Sequence, residues 1–207
     1  MPKLLLSHHT LTDWDFTPSM YRGLTTTQYV SPPSSLLLQV IAGTPNRGYV
    51  ICREASVLCL PQAEFRTWAR RTGGTVFWSM IFRNQAPVGS ASVANTYEWR
   101  ITNQYSYLFK TISGVEELLA TIGHTWTANV WHHFKTIFWN GTDPLGTPAL
   151  CVQIFEEVAG AWTQYGDTIY DTDNEWKDSA TNRLGIGADV HTVYKYYIDD
   201  TEIWGPA

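Results

Sequence analysis

Three kinds of side chain in this sequence can do chemistry: paired carboxylates, histidines, and a large stock of aromatic rings. Asp200 and Glu202, separated by Thr201, lie on one face of a strand, because side chains two apart point the same way. Two carboxylates at a fixed separation can run acid–base work on a glycosidic bond, but a pair at a strand end is more often solvated or ion-binding. His132 and His133 are adjacent, so a strand sends them to opposite faces and they cannot share one metal ion. His8 and His9 fall near the N-terminus, and all six histidines are expected to be ordinary polar surface. The sequence contains no His-Glu-x-x-His and no Gly-x-Ser-x-Gly. Asp171-Thr172-Asp173-Asn174-Glu175 offers calcium-type oxygens at alternating positions, yet Trp176 stands where an EF-hand needs glycine.

The ten tryptophans and eleven tyrosines exceed average usage, and such rings either fill a core or serve as platforms at interfaces. Trp126, Trp139, Trp162 and Trp176 fall at strand ends or in loops, where a ring can stack on a sugar or anchor a neighbouring subunit. Trp68, Trp78 and Trp99 lie inside strand-like stretches and are expected in the core.

The elements that must position these groups are strands. In the stretch from Val130 to Trp162, Phe134, Thr136 and Phe138 alternate with His133, Lys135 and Ile137, as a strand with one buried face should. Leu150, Val152 and Ile154 alternate with Cys151, Gln153 and Phe155 in the same way, and Asn140-Gly141-Thr142-Asp143-Pro144 between the arms is turn chemistry. This predicts a long-looped hairpin with Phe134, Phe138, Val152 and Ile154 in the core. Residues 1 to 34 read as irregular. Strand-like segments then recur from Ser35 at the spacing of a sandwich: SLLLQVI, GYVICRE, AEFRTWARR, TVFWSMIFR, Tyr97–Ile101, Tyr105–Ile112 and Tyr194–Trp204. Thr75 to Arg83 is apolar on both faces, as a strand covered on each side would be. Glu116 to Ile122 fits a strand or a short helical turn, and Asp167 to Asp178 reads as an acidic loop. About twelve strands are predicted.

At 207 residues the chain is read as one domain over 14–207 with an N-terminal extension over 1–13. A net charge of −5 with 16% charged residues leaves no basic footprint, which argues against a nucleic-acid partner. Cys52, Cys59 and Cys151 include no Cys-x-x-Cys, which argues against zinc and against a disulfide framework. They are expected as thiols, with a Cys52–Cys59 bridge the alternative. The leucines after Met1-Pro2-Lys3 are too few for a signal peptide or a membrane span.

In order, the Val76–Asn84 strand, Tyr97–Ile101, Leu108-Phe109-Lys110 with Gly114, Trp131 leading into Phe134, Thr136 and Phe138, Val152–Gly160, Asp167, Leu184-Gly185-Ile186-Gly187 and Tyr197-Ile198-Asp199-Asp200 resemble the laminin-G-like and concanavalin-A-like jelly-roll domains. The resemblance covers roughly residues 14 to 204 and implies two antiparallel sheets, with the N-terminal segment beside the last strand. Members bind glycans or proteins, and some hydrolyse polysaccharides. The Glu-x-Asp-x-x-Glu strand of the laminarinase type is absent here, and only Tyr194, Lys195, Tyr196 and Tyr197 echo the alginate-lyase type. Related jelly rolls often hold a structural calcium, which the resemblance maps to Asp15 with Asp199 or Asp200.

The expectation is an all-β, two-sheet antiparallel sandwich that works without catalysis. The leading reading is a structural or recognition module on a larger assembly, such as a phage virion decoration or tail component, partnered by itself or by other subunits. The alternative is a stand-alone carbohydrate-binding lectin-like protein on an extracellular surface, and the third is a polysaccharide hydrolase or lyase. Neither nucleic acid nor membrane insertion enters any of the three.

Overall fold

The computed structural model describes residues 3–6, 14–16, 20–30, 35–40, 47–53, 62–73, 77–179, 182–189 and 195–205. Cys59, His8, His9, Tyr194 and Val76 lie outside them. All the regular structure among the described residues is β, in sixteen strands. The first five are β1 (Lys3–Leu6), β2 (Trp14–Phe16), β3 (Met20–Thr25), β4 (Ser35–Val40) and β5 (Arg47–Cys52). β6 (Ala63–Arg71), β7 (Trp78–Asn84), β8 (Thr96–Ile101), β9 (Tyr105–Ile112) and β10 (Val115–Gly123) follow. The chain closes with β11 (His132–Thr142), β12 (Pro148–Val158), β13 (Ala161–Gln164), β14 (Ile169–Asp171), β15 (Arg183–Asp189) and β16 (Tyr196–Trp204).

They form two antiparallel sheets. One is nine-stranded and runs β13-β12-β11-β6-β16-β4-β3, with β1 also on β16 and β14 also on β12; the other is seven-stranded and runs β10-β9-β8-β7-β15-β5-β2. Three strands lie in the region expected to be irregular. β1 pairs with β16 from Lys3↔Trp204 to Leu6↔Thr201, so the segment read as an extension contributes a strand to the sandwich. β2 and β3 extend one edge of each sheet. Their short lengths and Pro18 nearby conceal any alternation, and the pairing comes from neighbours already in place. Glu116–Ile122 is a strand, paired in register with β9 apart from a shift at Leu118.

The core lies between the sheets and follows the two-residue period. Ala63, Phe65, Thr67, Ala69 and Arg71 of β6 face in, and Glu64, Arg66, Trp68 and Arg70 face out. On the hairpin, Phe134, Thr136, Phe138, Val152 and Ile154 are all buried. Trp78, Trp99 and Trp126 close around Phe134, with ring centroids at 5.3, 5.8 and 5.9 Å. β7 is buried along its whole length, because Ala91 and Val93 pack with Tyr49, Ile51 and Ile81 on the outer side of the seven-stranded sheet. Gly187 is required there: a Cβ on it would meet the Tyr49 ring at 3.0 Å and crowd the Ser79 hydroxyl.

Candidate functional site

The alternation that buries Phe134, Thr136 and Phe138 turns His133 and Lys135 to the outer surface of the nine-stranded sheet. Register supplies their neighbours. On β6, Trp68 lies opposite His133 and Arg66 opposite Lys135. On β12, Phe155 lies opposite Lys135, and one strand further Glu157 faces Trp162 of β13. Beyond β6, Glu202 lies opposite Arg66 and Trp204 opposite Glu64. Side chains directly opposite across a ladder are close enough to interact, so rings and cations form a continuous band across the sheet.

Within the band the Trp68 and His133 rings stack with centroids 4.4 Å apart and 12° between planes, and His133 is 4.7 Å from the Trp162 ring. The Arg66 guanidinium lies 5.4 Å from the Trp162 ring and 4.8 Å from that of Trp204. Lys135 Nζ lies 4.4 Å from both the Phe155 and the Trp162 centroids. Cations at these distances are drawn to the negative faces of the rings. The acids of the band have their own partners. Glu64 pairs with Arg66, Glu202 accepts a hydrogen bond from Trp204 Nε1 at 3.0 Å, and Glu157 accepts one from His133 Nδ1 at 2.7 Å.

Burial pushes the His133 imidazolium below its ordinary value, with the hydrogen bond to Glu157 opposing it. Burial likewise pushes the Lys135 ammonium down, opposed by Glu64 and reinforced by Arg66. Chemically the band can hold a ligand that offers an apolar face to rings and polar groups to a rim of charges.

No protein-family model matches the sequence, and no curated protein matches it. Solved structures match the fold. The carbohydrate-binding module CBM66 from Bacillus subtilis aligns over 92% of this chain and 95% of its own, at a TM-score of 0.61 and 11% identity. The exoplasmic/lumenal domain of VIP36, in its Ca2+/Man3GlcNAc-bound form, aligns over 98% and 90%, at 0.58 and 12%. Lectin I from Ulex europaeus, in complex with the methyl glycoside of alpha-L-fucose, aligns over 97% of each chain, at 0.60 and 7%. The sandwich is a lectin-like jelly roll. Identities this low carry the fold and not a ligand.

The aromatic positions of this lectin-like sandwich differ from the sequence expectation. Trp126 is 1% exposed and lies in the core, so it has no face to offer a ligand. Trp176 packs against the core and meets Tyr97 edge-on at 5.5 Å. Trp139 is half-buried opposite Cys151, two positions beyond Ile137 on the same face. Of these four rings, only Trp162 enters the band. Trp68, expected in the core, is instead one of its central rings. The alternation Glu64-Arg66-Trp68-Arg70 in AEFRTWARR is the signal that marks it as outward-facing.

Asp15 and Asp199, which the resemblance maps to calcium, are engaged within the protein. Asp15 stands on β2 of the seven-stranded sheet, whereas Asp199 and Asp200 stand on β16 of the nine-stranded one. Two guanidinium groups, from Arg53 and Arg183, already neutralise Asp15. Asp199 Oδ2 accepts the Val30 N–H at 2.7 Å, holding the segment after β3. Among the described residues no group of three or more His, Cys, Asp or Glu is arranged to hold a metal. The 171–175 loop is likewise closed by protein cations. Lys110 Nζ lies 3.2 Å from Asp171 and 2.6 Å from Asp173, and Tyr97 donates its hydroxyl proton to Asp171. Arg83 donates to Asn174 at 2.7 Å. Cys151 is a buried thiol, and Cys52 is buried at the end of β5.

Among the described histidines, His132 and His124 depart from the surface expectation. His132 turns inward to Glu156, opposite in direction to His133, and its ring stacks on Phe134. His124 is buried beside the same carboxylate, with Nε2 3.3 Å from Glu156 Oε2. Burial holds the His124 imidazolium below its ordinary value, opposed by Glu156 and reinforced by His132. Burial would raise the Glu156 carboxyl, but hydrogen bonds from His132 and Tyr165 outweigh it and hold it low. Both shifts act in one direction. The unfolded chain takes up a proton at His124 near 6.5 and at Glu156 near 4.5, each above the folded value, so stability falls as the pH drops through those values. Melting temperature should therefore decline steadily from neutral pH toward pH 4.5, and His124→Phe should flatten the upper part of that decline. A flat profile in the wild type would remove the cluster from the account.

Proposed function

We propose that this chain is a non-catalytic carbohydrate-recognition domain that seats a saccharide on the outer face of its nine-stranded sheet. The observation that carries the reading is the band of half-buried Trp162, Trp68, His133 and Arg66 around the buried Lys135 on a lectin-like sandwich. A sugar ring presents C–H groups on its face and hydroxyls at its rim. Aromatic faces suit the first, and Arg66, His133 and Glu157 suit the second. A laminin-G-like kinship within the fold belongs to the same proposal, as does an extracellular or surface location. The order of segments from Trp131 to the closing Tyr197–Asp200 stretch supports that kinship.

Aromatic rings in excess of what a core can use would also suit the subunit interfaces of a virion component. Trp14, Trp78, Trp99 and Trp126 are core residues and Trp176 packs on them, so the excess shrinks and glycan recognition is favoured. Calorimetric titration against a broad glycan panel tests the proposal. Trp162→Ala should weaken whichever glycan binds by about tenfold or more, roughly 1.4 kcal/mol, with the melting curve nearly unchanged. Undiminished affinity in that variant would move the site elsewhere, and silence across the whole panel would end the glycan reading. Reducing ends should not accumulate from any polysaccharide tested.

A further inference from the structure

Three acids of the band are matched to two nitrogenous groups: Glu64 and Glu202 to Arg66, and Glu157 to His133. Lys135 stands outside this matching. It is 93% buried by the complement of its 7% exposure, its ammonium is held between the Phe155 and Trp162 rings, and no carboxylate of the described residues forms an ion pair or hydrogen bond with it. Its side chain projects from the outer face of the nine-stranded sheet, unlike those of Trp78, Trp99 and Trp126, whose indole nitrogens are sealed in the core with no hydrogen-bond partner. An ammonium carries three donors. Two ring faces stabilise its charge but accept none of those donors in the manner of an oxygen anion.

We propose that the saccharide bound on this face is anionic, with a carboxylate or sulfate group seated on Lys135 Nζ beside Trp162. This rests on the glycan-recognition reading of the same face and adds the chemical class of the ligand. The ring stack positions the sugar and the enclosed ammonium selects its charge. Burial has already stripped much of the water from this cation, so an arriving anion displaces little, and the two rings shield the pair from counter-ions. Arg66 adds positive potential nearby while its own fork is occupied by Glu64. A neutral sugar would leave the ammonium as it is and gain only the ring contacts.

The test compares oligogalacturonides and sulfated carrageenan oligosaccharides with neutral glucan oligosaccharides of equal length, by calorimetric titration of the full chain. At least one anionic class should bind about tenfold or more tightly than the neutral one, the usual scale of a charged hydrogen bond. Lys135→Met, which keeps the apolar stem, should erase that preference, and Lys135→Arg should retain much of it. The wild-type preference should also weaken at high salt and as the pH rises through the Lys135 titration, which reads the charge even if a variant folds poorly. Carboxylate and sulfate arms identify which group is recognised. Equal binding of neutral and anionic chains, lost in Trp162→Ala, would overturn the anionic proposal and keep the glycan reading. Anionic binding unchanged by Lys135→Met or by salt would also overturn it, and absence of binding in every arm would overturn both.

Discussion

Replacing Phe134 by alanine should lower the free energy of unfolding by about 3–5 kcal/mol, the scale for deleting a fully buried aromatic ring. Phe134 is fully buried and is ringed by Trp78, Trp99, Trp126, His124 and His132, with centroids between 5.3 and 5.9 Å. Those neighbours stand on both sheets, so they cannot collapse into the void without moving strands. Domains of this kind have only about 5–15 kcal/mol in total, so the variant should sit close to its unfolding threshold. Urea denaturation midpoints measure the change. Phe155→Ala, on the outward face of the same hairpin, serves as the comparison and should cost clearly less. A loss at Phe134 no larger than at Phe155 would mean that the register of β11 is off by one residue.

Asp15→Ala should cost a similar amount, about 3–5 kcal/mol, through a different cause: it strands a buried charge. Arg183 is 1% exposed, and its guanidinium donates to the carbonyls of Cys52 at 2.9 Å, Pro87 at 2.8 Å and Ser90 at 3.1 Å as well as to Asp15. Carbonyl dipoles satisfy its donors but do not neutralise it. Asp15 also accepts the Gly89 N–H at 2.8 Å, so the same carboxylate ties β2, β15 and the 86–90 segment together. Arg183→Met in the Asp15→Ala background should recover part of the loss, because no orphaned cation then remains. Burial would raise the Asp15 carboxyl, but hydrogen bonds from Arg53, Arg183 and Gly89 hold it below its ordinary 3.8. Its contribution is therefore complete above that value and is lost as the pH falls through the lower folded one. Below it, wild type and variant should converge in stability. A single and double mutant of equal stability would show that the charge was not what mattered.

Periodicity along the chain determined the local geometry of this protein and the direction of most side chains. Phe134, Thr136 and Phe138 face in while His133 and Lys135 face out because a strand alternates, and that is visible in eleven consecutive residues. The same rule applied to AEFRTWARR places Trp68 outside, though its position inside a strand suggests the core. Absence of a carboxylate triplet, and the separation of His132 from His133, were likewise legible from spacing alone. What no local pattern carries is which strand lies beside which. Trp162 reaches Lys135 and Arg66 because β13, β12, β11 and β6 are consecutive in the sheet, and Arg66 is 96 positions away in sequence by the difference of the two residue numbers. Asp15 and Arg183 are 168 residues apart, and nothing in the flanking sequence of either marks the other as its partner. Asp15 and Asp199, mapped to calcium by the resemblance, hold guanidinium groups and a backbone amide. Trp126 shows the same limit, since a ring between strands looks peripheral until Trp78, Phe134 and Tyr196 close around it. Side-chain direction is set by the backbone torsions of one strand, whereas pairing is set by the free energy of burying two sheets against each other, which only the assembled chain defines.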